Sequence, residues 1–237
     1  DALCAAREAA CSGRVDFVAA AGGDGTINEI INGLAGSPIP LGVIPFGTVN
    51  VFALETGIPM DPFMACDVIL TGDPKKINLG RINDNYFLLM AGIGFDAYVV
   101  YGLDLRLKRL AGRLSYIITA LGSIFSYPGY PLEIELEGGK KIQGHGVVVG
   151  NMKYYGGTFS ITPFADYERN DLDVCVFKNK GFANMLRYTW GVLLKQHLKY
   201  PDVEYYTVKG LKVTSHGKTY IQADGDVVGQ LPAEFRV

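Results

Sequence analysis

Phe17-Val-Ala-Ala-Ala21, Gly22-Gly-Asp-Gly-Thr26 and Ile27-Asn-Glu-Ile-Ile-Asn-Gly-Leu34 follow one another without a gap. They read as an apolar strand, a glycine turn and a helix. Ile27, Ile30, Ile31 and Leu34 fall at i, i+3, i+4 and i+7, which is one helix face. Upstream, Ala2–Ala10 is rich in alanine and favours helix. Downstream the design repeats: Leu41-Gly-Val-Ile44 as strand, Pro45-Phe-Gly-Thr48 as turn and Val49–Glu55 as helix, with Gly57 as stop signal. Strand and helix alternate, so this part is expected to be an α/β domain with a mainly parallel sheet.

After about Leu70 the pattern changes. Tyr86–Met90 reads as a strand. Leu103–Phe125 reads as a long amphipathic helix ended by Pro128 and Pro131. Leu132-Glu-Ile-Glu-Leu-Glu137 alternates strictly, and Gly138-Gly139 supplies a hairpin turn. Further β-type segments are expected at Val147–Val149, Asp173–Phe177, Val203–Val208, Leu211–Thr214 and Thr219–Ala223. One helix, Phe182–Leu198, interrupts them, with Phe182, Met185, Leu186, Trp190, Leu193 and Leu194 expected to face inward. The second region is therefore expected to be an antiparallel sandwich beside the α/β domain.

The turn Gly22–Thr26 ends a strand and opens a helix. Glycines there let a bulky anion approach the backbone, and the helix N-terminus offers free N–H groups and a positive dipole end to phosphate. Asp24 repels bare phosphate and makes sense as a magnesium partner. A plain tight turn with a capping threonine explains the same residues, because short glycine motifs are weak evidence. Pro45–Asn50 carries a second such turn. Two turns at the same end of neighbouring parallel strands face one crevice, where open α/β sheets bind ligands. Asp224-Gly-Asp226 fits two readings, a general base on a flexed loop or an Asp-Gly hairpin turn.

Composition narrows the classes. Of the 237 residues 49% are apolar and 19% charged, as in an ordinary folded protein. The net charge of −2 gives no global attraction to nucleic acid or anionic membranes. Cys4, Cys11, Cys66 and Cys175 form no CxxC pair, which fits a reducing cytosol and no thiolate zinc site. His145, His197 and His216 lie far apart and read as structural or surface residues. Residues 1–16 carry charges throughout and do not read as a signal peptide. Phe87–Val100 is too short and too interrupted to span a bilayer.

At this point the motifs resemble a family. Gly22–Leu34 with Pro45-Phe-Gly-Thr-Val-Asn50 is similar to the catalytic core of diacylglycerol kinases and their bacterial relatives, shared with sphingosine and ceramide kinases. Gly92-Ile-Gly-Phe-Asp-Ala97, Gly150-Asn-Met-Lys-Tyr-Tyr-Gly-Gly157 and the Asp224 turn resemble later blocks of that family, in the same order. GGDGT alone is shared with NAD kinases.

The resemblance implies an ATP-binding, NAD kinase/diacylglycerol kinase-like α/β domain over residues 1–72. A β-sandwich lipid-substrate domain over 73–237 follows, its last residues returning toward the first. It implies an ATP-dependent lipid kinase, diacylglycerol being the first expectation. A sphingoid-base or phosphatidylglycerol kinase, a NAD kinase and a silent binding module are the rivals. Nucleotide contacts are expected from Gly22, Gly23, Asp24, Gly25, Thr26, Asn28, Glu29 and Thr48. Asp226 is expected as base, one methylene shorter than the family's usual glutamate. Asp24 and Asp224 are expected beside Mg2+, with Asp24 sharing in catalysis, and Asp96 near the lipid head group. The protein is expected to be cytoplasmic and peripheral to the membrane, without a transmembrane segment or nucleic-acid partner; a homodimer is compatible with the sequence.

Three departures accompany the resemblance. The family's opening Asn-Pro-x-Ser/Ala-Gly segment is absent and its closing strand is short, so the chain is expected to be a fragment. Arg169 replaces the aspartate that binds a structural magnesium in many bacterial members, within Glu168-Arg-Asn-Asp-Leu-Asp173. Arg106, Arg109 and Arg113 form a basic stripe that suits either lipid head groups or a solvated helix face.

Overall fold

The computed structural model describes residues 1–102, 119, 122, 123 and 126–237. The helix expected over Leu103–Phe125, with its arginine stripe, lies outside the described residues except for three positions. The N-terminal part opens with helix α1 (Ala2–Ser12) and strand β1 (Val18–Gly22), followed by α2 (Asp24–Leu34), β2 (Leu41–Pro45), α3 (Val51–Thr56) and α4 (Pro62–Thr71). Strands β1 and β2 pair in parallel, so both glycine turns leave the sheet at the same end. The α1–α2 contact is close because Gly33 has no side chain. A Cβ there would stand 2.5 Å from the Ala6 Cβ.

The described residues after α4 build a short helix, α5 (Phe95–Tyr101), and two antiparallel sheets. One contains β5 (Met90–Ile93), β8 (Gly146–Gly150), β9 (Leu172–Phe177), β10 (Val203–Val208), β12 (Tyr220–Ala223) and β13 (Asp226–Gln230), in the order β10-β9-β8-β5-β12-β13. The other contains β3 (Gly80–Ile82), β4 (Asn85–Phe87), β6 (Leu132–Leu136), β7 (Lys141–Gly144), β11 (Gly210–Ser215) and β14 (Ala233–Arg236), ordered β4-β3-β14-β11-β6-β7. The hairpin at Gly138-Gly139 forms as expected, with both glycines at positive φ.

The central strands β5, β8, β9 and β12 of the first of these sheets are buried on both faces, which explains their nearly continuous apolar runs. Val147, Val149, Val174 and Val176 enter the sandwich core with Ile134, Leu132 and Phe235. Val148 and Cys175 point the other way, into a second core with Ile27, Ile30, Leu88 and Met90. That second core joins the α/β part to the sandwich. The outer sheet shows the opposite pattern: Leu132, Ile134 and Leu136 are buried while Glu133 and Glu135 stay in water.

Three expectations need correction. The chain's last strand, β14, does not return to the α/β part. It pairs with β11 and β3, because Ala233 and Phe235 alternate with Glu234 and Arg236 and fit the sandwich face. The strand expected over Tyr86–Met90 is broken at Leu88 and Leu89, whose amides bond a side chain instead of a neighbouring strand. Finally, the helix expected over Phe182–Leu198 stops earlier, as α6 (Phe182–Leu193), and a turn with Lys195 at φ 56° separates it from a short 3-10 turn at His197–Lys199. Tyr188 and Gly191 are its buried residues. Phe182, Leu186, Trp190, Leu193 and Leu194 are exposed, so Trp190 is not a core residue.

Candidate active site

The two glycine turns touch backbone to backbone. A Cβ on Gly47 would lie 2.5 Å from the Gly23 Cα, so a side chain there would wedge the turns apart. The amide of Phe46 donates to the Gly22 carbonyl at 2.9 Å. Asp24 fastens the pair from inside the first turn of α2. Its Oδ2 and Oδ1 accept from the amides of Val51 and Phe52, both at 3.0 Å, and so cap α3. Asn50, buried at φ 52°, closes its own turn: its Oδ1 accepts from Gly47 N at 2.7 Å.

This arrangement leaves the start of α2 open. Gly23 is its cap residue and offers no side-chain bond, and the space where a Gly25 side chain would stand is empty. Gly22 is glycine for a different reason, because a Cβ would collide with Thr26 at 2.8 Å. Glu29 and Thr48 are exposed near these turns, and Asn28 and Thr26 are half-buried.

Asn28 leads to the second half of the site. Its carboxamide donates to Asp224 Oδ2. Asp224, at φ 50°, also accepts from Leu88 N at 2.6 Å, Leu89 N at 2.8 Å and Met90 N at 3.0 Å. Burial pushes the pKa of this carboxyl up, and the amide bonds oppose that shift. Four donors occupy its two oxygens, so the magnesium-ligand role expected of Asp224 does not suit this geometry. Asp224 instead ties the C-terminal turn to α2 and β5.

From that turn a polar chain runs into the sandwich domain. Gly225 N donates to Gln222 Oε1 at 2.9 Å, and Gln222 Nε2 donates to Asp96 Oδ2 at 2.6 Å. Tyr155 Oη donates to the other oxygen of Asp96 at 3.0 Å. Gly92 makes room for this: a Cβ would stand 2.2 Å from the Asp96 carboxylate. Asp96 lines a cavity of about 330 Å3 walled by Phe95, Val99, Phe159, Met185 and Val192 among others. Burial among these apolar groups raises its pKa, and the bonds from Tyr155 and Gln222 work against that rise.

Asp226 begins β13 on the same turn as Asp224 and is exposed. Hydrogen bonds therefore join Asn28 to Asp224, and Gly225 of the same turn through Gln222 to Asp96, while Asp24 shares α2 with Asn28 and Asp226 follows Asp224 by two residues. Gln222 was not among the expected residues. Its signal in the sequence is a polar side chain within Ile221-Gln-Ala223, and it is fully buried. Glu55 was also unforeseen: it accepts from Tyr154 N at 3.1 Å and links α3 to the loop after β8.

Among the described residues, no group of three or more His, Cys, Asp or Glu side chains could hold a metal ion. A magnesium ion carried by nucleotide phosphates requires only one or two carboxylates. Asp24 fits that limited role, because each of its oxygens accepts one hydrogen bond and retains a second acceptor site. At Arg169 the guanidinium sits 3.0 Å from Asp171 Oδ1 and 3.2 Å from the buried Asp173 Oδ2. It thereby supplies positive charge to these two carboxylates.

The parallel strand–turn–helix pair beside an antiparallel sandwich is the architecture of the diacylglycerol kinase class. Residues 1–82 match the diacylglycerol kinase catalytic domain, and residues 90–237 match the YegS C-terminal NAD kinase beta sandwich-like domain. The chain is 34% identical to a diacylglycerol kinase of Bacillus subtilis (strain 168), covering 99% of this chain and 78% of the relative. It is 32% identical to a diacylglycerol kinase of Staphylococcus aureus (strain JH9), over 93% of this chain and 71% of that protein. A crystal structure of a diacylglycerol kinase from Bacillus anthracis str. Sterne superposes with a TM-score of 0.79 at 27% identity, covering all of this chain and 78% of that one. This chain belongs to the diacylglycerol kinase family of ATP-dependent lipid kinases. No helix among the described residues is long and apolar enough to cross a membrane.

Proposed function

We propose that this chain transfers the γ-phosphate of ATP to the primary hydroxyl of diacylglycerol, giving phosphatidic acid and ADP. One observation carries the reading: Asp96, half-buried and the one carboxylate among the described residues that line a largely apolar cavity, is joined through Gln222 to the turn that holds Asp226. Acyl chains suit the apolar walls, and a glycerol hydroxyl suits the carboxylate.

Residues 1–72 receive the nucleotide and residues 73–237 the lipid. Gly22, Gly23, Gly25 and Thr26 approach the phosphates through the open start of α2, with Asn28, Glu29 and Thr48 beside them. Asp96 positions the lipid hydroxyl. Its oxygen then forms a bond to the γ-phosphorus while the bond from that phosphorus to the β–γ bridging oxygen breaks. ADP leaves with the electron pair, and Asp226 takes the hydroxyl proton. Magnesium bound with the nucleotide would be held by Asp24, where it would neutralise charge on the phosphates. The enzyme works in the cytoplasm as a peripheral visitor to the bilayer surface.

The test is transfer of label from γ-labelled ATP to a panel of diacylglycerol, sphingosine, phosphatidylglycerol and NAD, using the full-length protein. Label in phosphatidic acid supports the reading. Label in another lipid reassigns the substrate, and label in NAD overturns the lipid specificity.

A further inference from the structure

The outward side of α6 is apolar where a soluble helix is normally polar. Leu186, Trp190, Leu193 and Leu194 are exposed, Trp190 to 61%. They fall on one stripe, since positions 186, 190, 193 and 194 share a face. The adjoining face of the same helix carries Met185, Thr189 and Val192, which wall the Asp96 cavity, and Leu193 belongs to both faces. The exposed stripe therefore runs along the rim of the cavity. From residue 178 to residue 201 the chain contains no Asp or Glu, and Lys180, Lys195 and Lys199 are exposed around the stripe.

We infer that α6 is the bilayer-docking surface: its outer face lies in the interface of an anionic membrane, so that diacylglycerol enters the cavity without crossing water. This rests on the lipid-kinase reading above and adds where the membrane is met. An apolar stripe with tryptophan, flanked by lysines, is the composition of an interfacial helix, and indole favours the boundary between acyl chains and water. The lysines match the charge of anionic lipids. A second copy of the chain is the poorer occupant. A 12-residue helix is about 18 Å long and about 10 Å wide. Its outer face covers a few hundred Å2, well below the roughly 800 Å2 per partner of a stable interface.

Trp190 is the one tryptophan in this sequence, so it reports its own surroundings. The experiment uses the full-length protein with any tryptophan outside these 237 residues replaced by phenylalanine. It is mixed with phosphatidylcholine–phosphatidylglycerol vesicles carrying diacylglycerol. The expected result is a shift of Trp190 emission to shorter wavelength, with quenching by brominated acyl chains. The double substitution Leu186→Glu/Trp190→Glu should weaken vesicle binding roughly tenfold or more. It should leave phosphorylation of a dispersed short-chain diacylglycerol unchanged, which shows that the variant folds. Vesicle binding with Trp190 unshifted and unquenched overturns the assignment of α6 while the kinase reading stands. A concentration-dependent shift without vesicles overturns it in favour of self-association. Failure of the wild type to phosphorylate either form of diacylglycerol removes the kinase reading and this inference with it.

Discussion

The carboxamide of Asn28 donates to the carboxylate of Asp224 across 196 positions of sequence. This bond joins the helix after the first glycine turn to the turn that carries Asp226. The same carboxylate takes the amides of Leu88, Leu89 and Met90, so one side chain holds three segments together. Aspartate is required there because it only accepts, whereas asparagine would turn an N–H against at least one of the donors. Asp224→Asn is expected to destabilise the fold by about 2–4 kcal/mol, and Asn28→Ala by about 1–2 kcal/mol. Urea denaturation of the two single variants and the double variant measures both values and their coupling. An additive double variant would show that the contact carries no joint energy.

The contact between Gly23 and Gly47 sets the shape of the nucleotide cleft. Gly47→Ala is expected to push the turns apart, at about 1–3 kcal/mol of stability, and to weaken ATP binding about tenfold. Titration calorimetry with a non-hydrolysable ATP analogue checks this. Unchanged affinity would mean that nucleotide binding does not depend on the spacing of the two turns.

Asp96 is predicted to act on the lipid side alone. Replacing it with asparagine removes a charged acceptor worth about 1.5–3 kcal/mol. The kcat/KM for diacylglycerol should then fall about 10- to 100-fold, while the KM for ATP stays the same. Gly92→Ala should reproduce part of the loss by crowding the Asp96 carboxylate. A rise in the ATP KM in either variant would contradict the division of labour between the two regions.

The sequence alone disclosed the local elements well and their surroundings poorly. The hairpin at Gly138-Gly139 and the stop at Gly57 are legible because they depend on positive-φ conformations that glycine adopts easily. The turns at Gly22–Thr26 and Pro45–Asn50 are legible as glycines between strand and helix, where close packing leaves Gly22 and Gly47 no room for a Cβ. The stripe on α6 was legible too, but its direction was not. Periodicity shows that apolar residues share a face and says nothing about what covers that face. The strand break at Leu88 and Leu89 depends on Asp224, more than a hundred positions away, so no local window contains it. Gln222 escaped for a similar reason, since its partner Asp96 is reached only once β12 pairs with β5. Arg169 was legible as a departure at a metal position, but its two carboxylate partners became visible only in the fold.

His197 gives the fold a dependence on acid. It is buried, a ring nitrogen sits 2.9 Å from the Ile161 carbonyl, and burial lowers its pKa from the ordinary value of 6.5. As pH falls below 6.5 the unfolded chain binds the proton first, so stability present at neutral pH is lost until the folded ring titrates. Thermal unfolding between about pH 7 and pH 5 should show a falling Tm. That slope should be shallower in His197→Gln. An equal slope in both proteins would assign the acid sensitivity to other groups.

The most direct test of the account is the transfer rate from ATP to diacylglycerol in the full-length protein and its Asp226→Ala variant, with nucleotide affinity measured alongside. The account predicts that the wild type forms phosphatidic acid, and that the variant binds ATP normally but loses about 100-fold or more in rate. Full activity in the variant would contradict Asp226 as the base, and absence of transfer in the wild type with ATP bound would contradict the kinase itself.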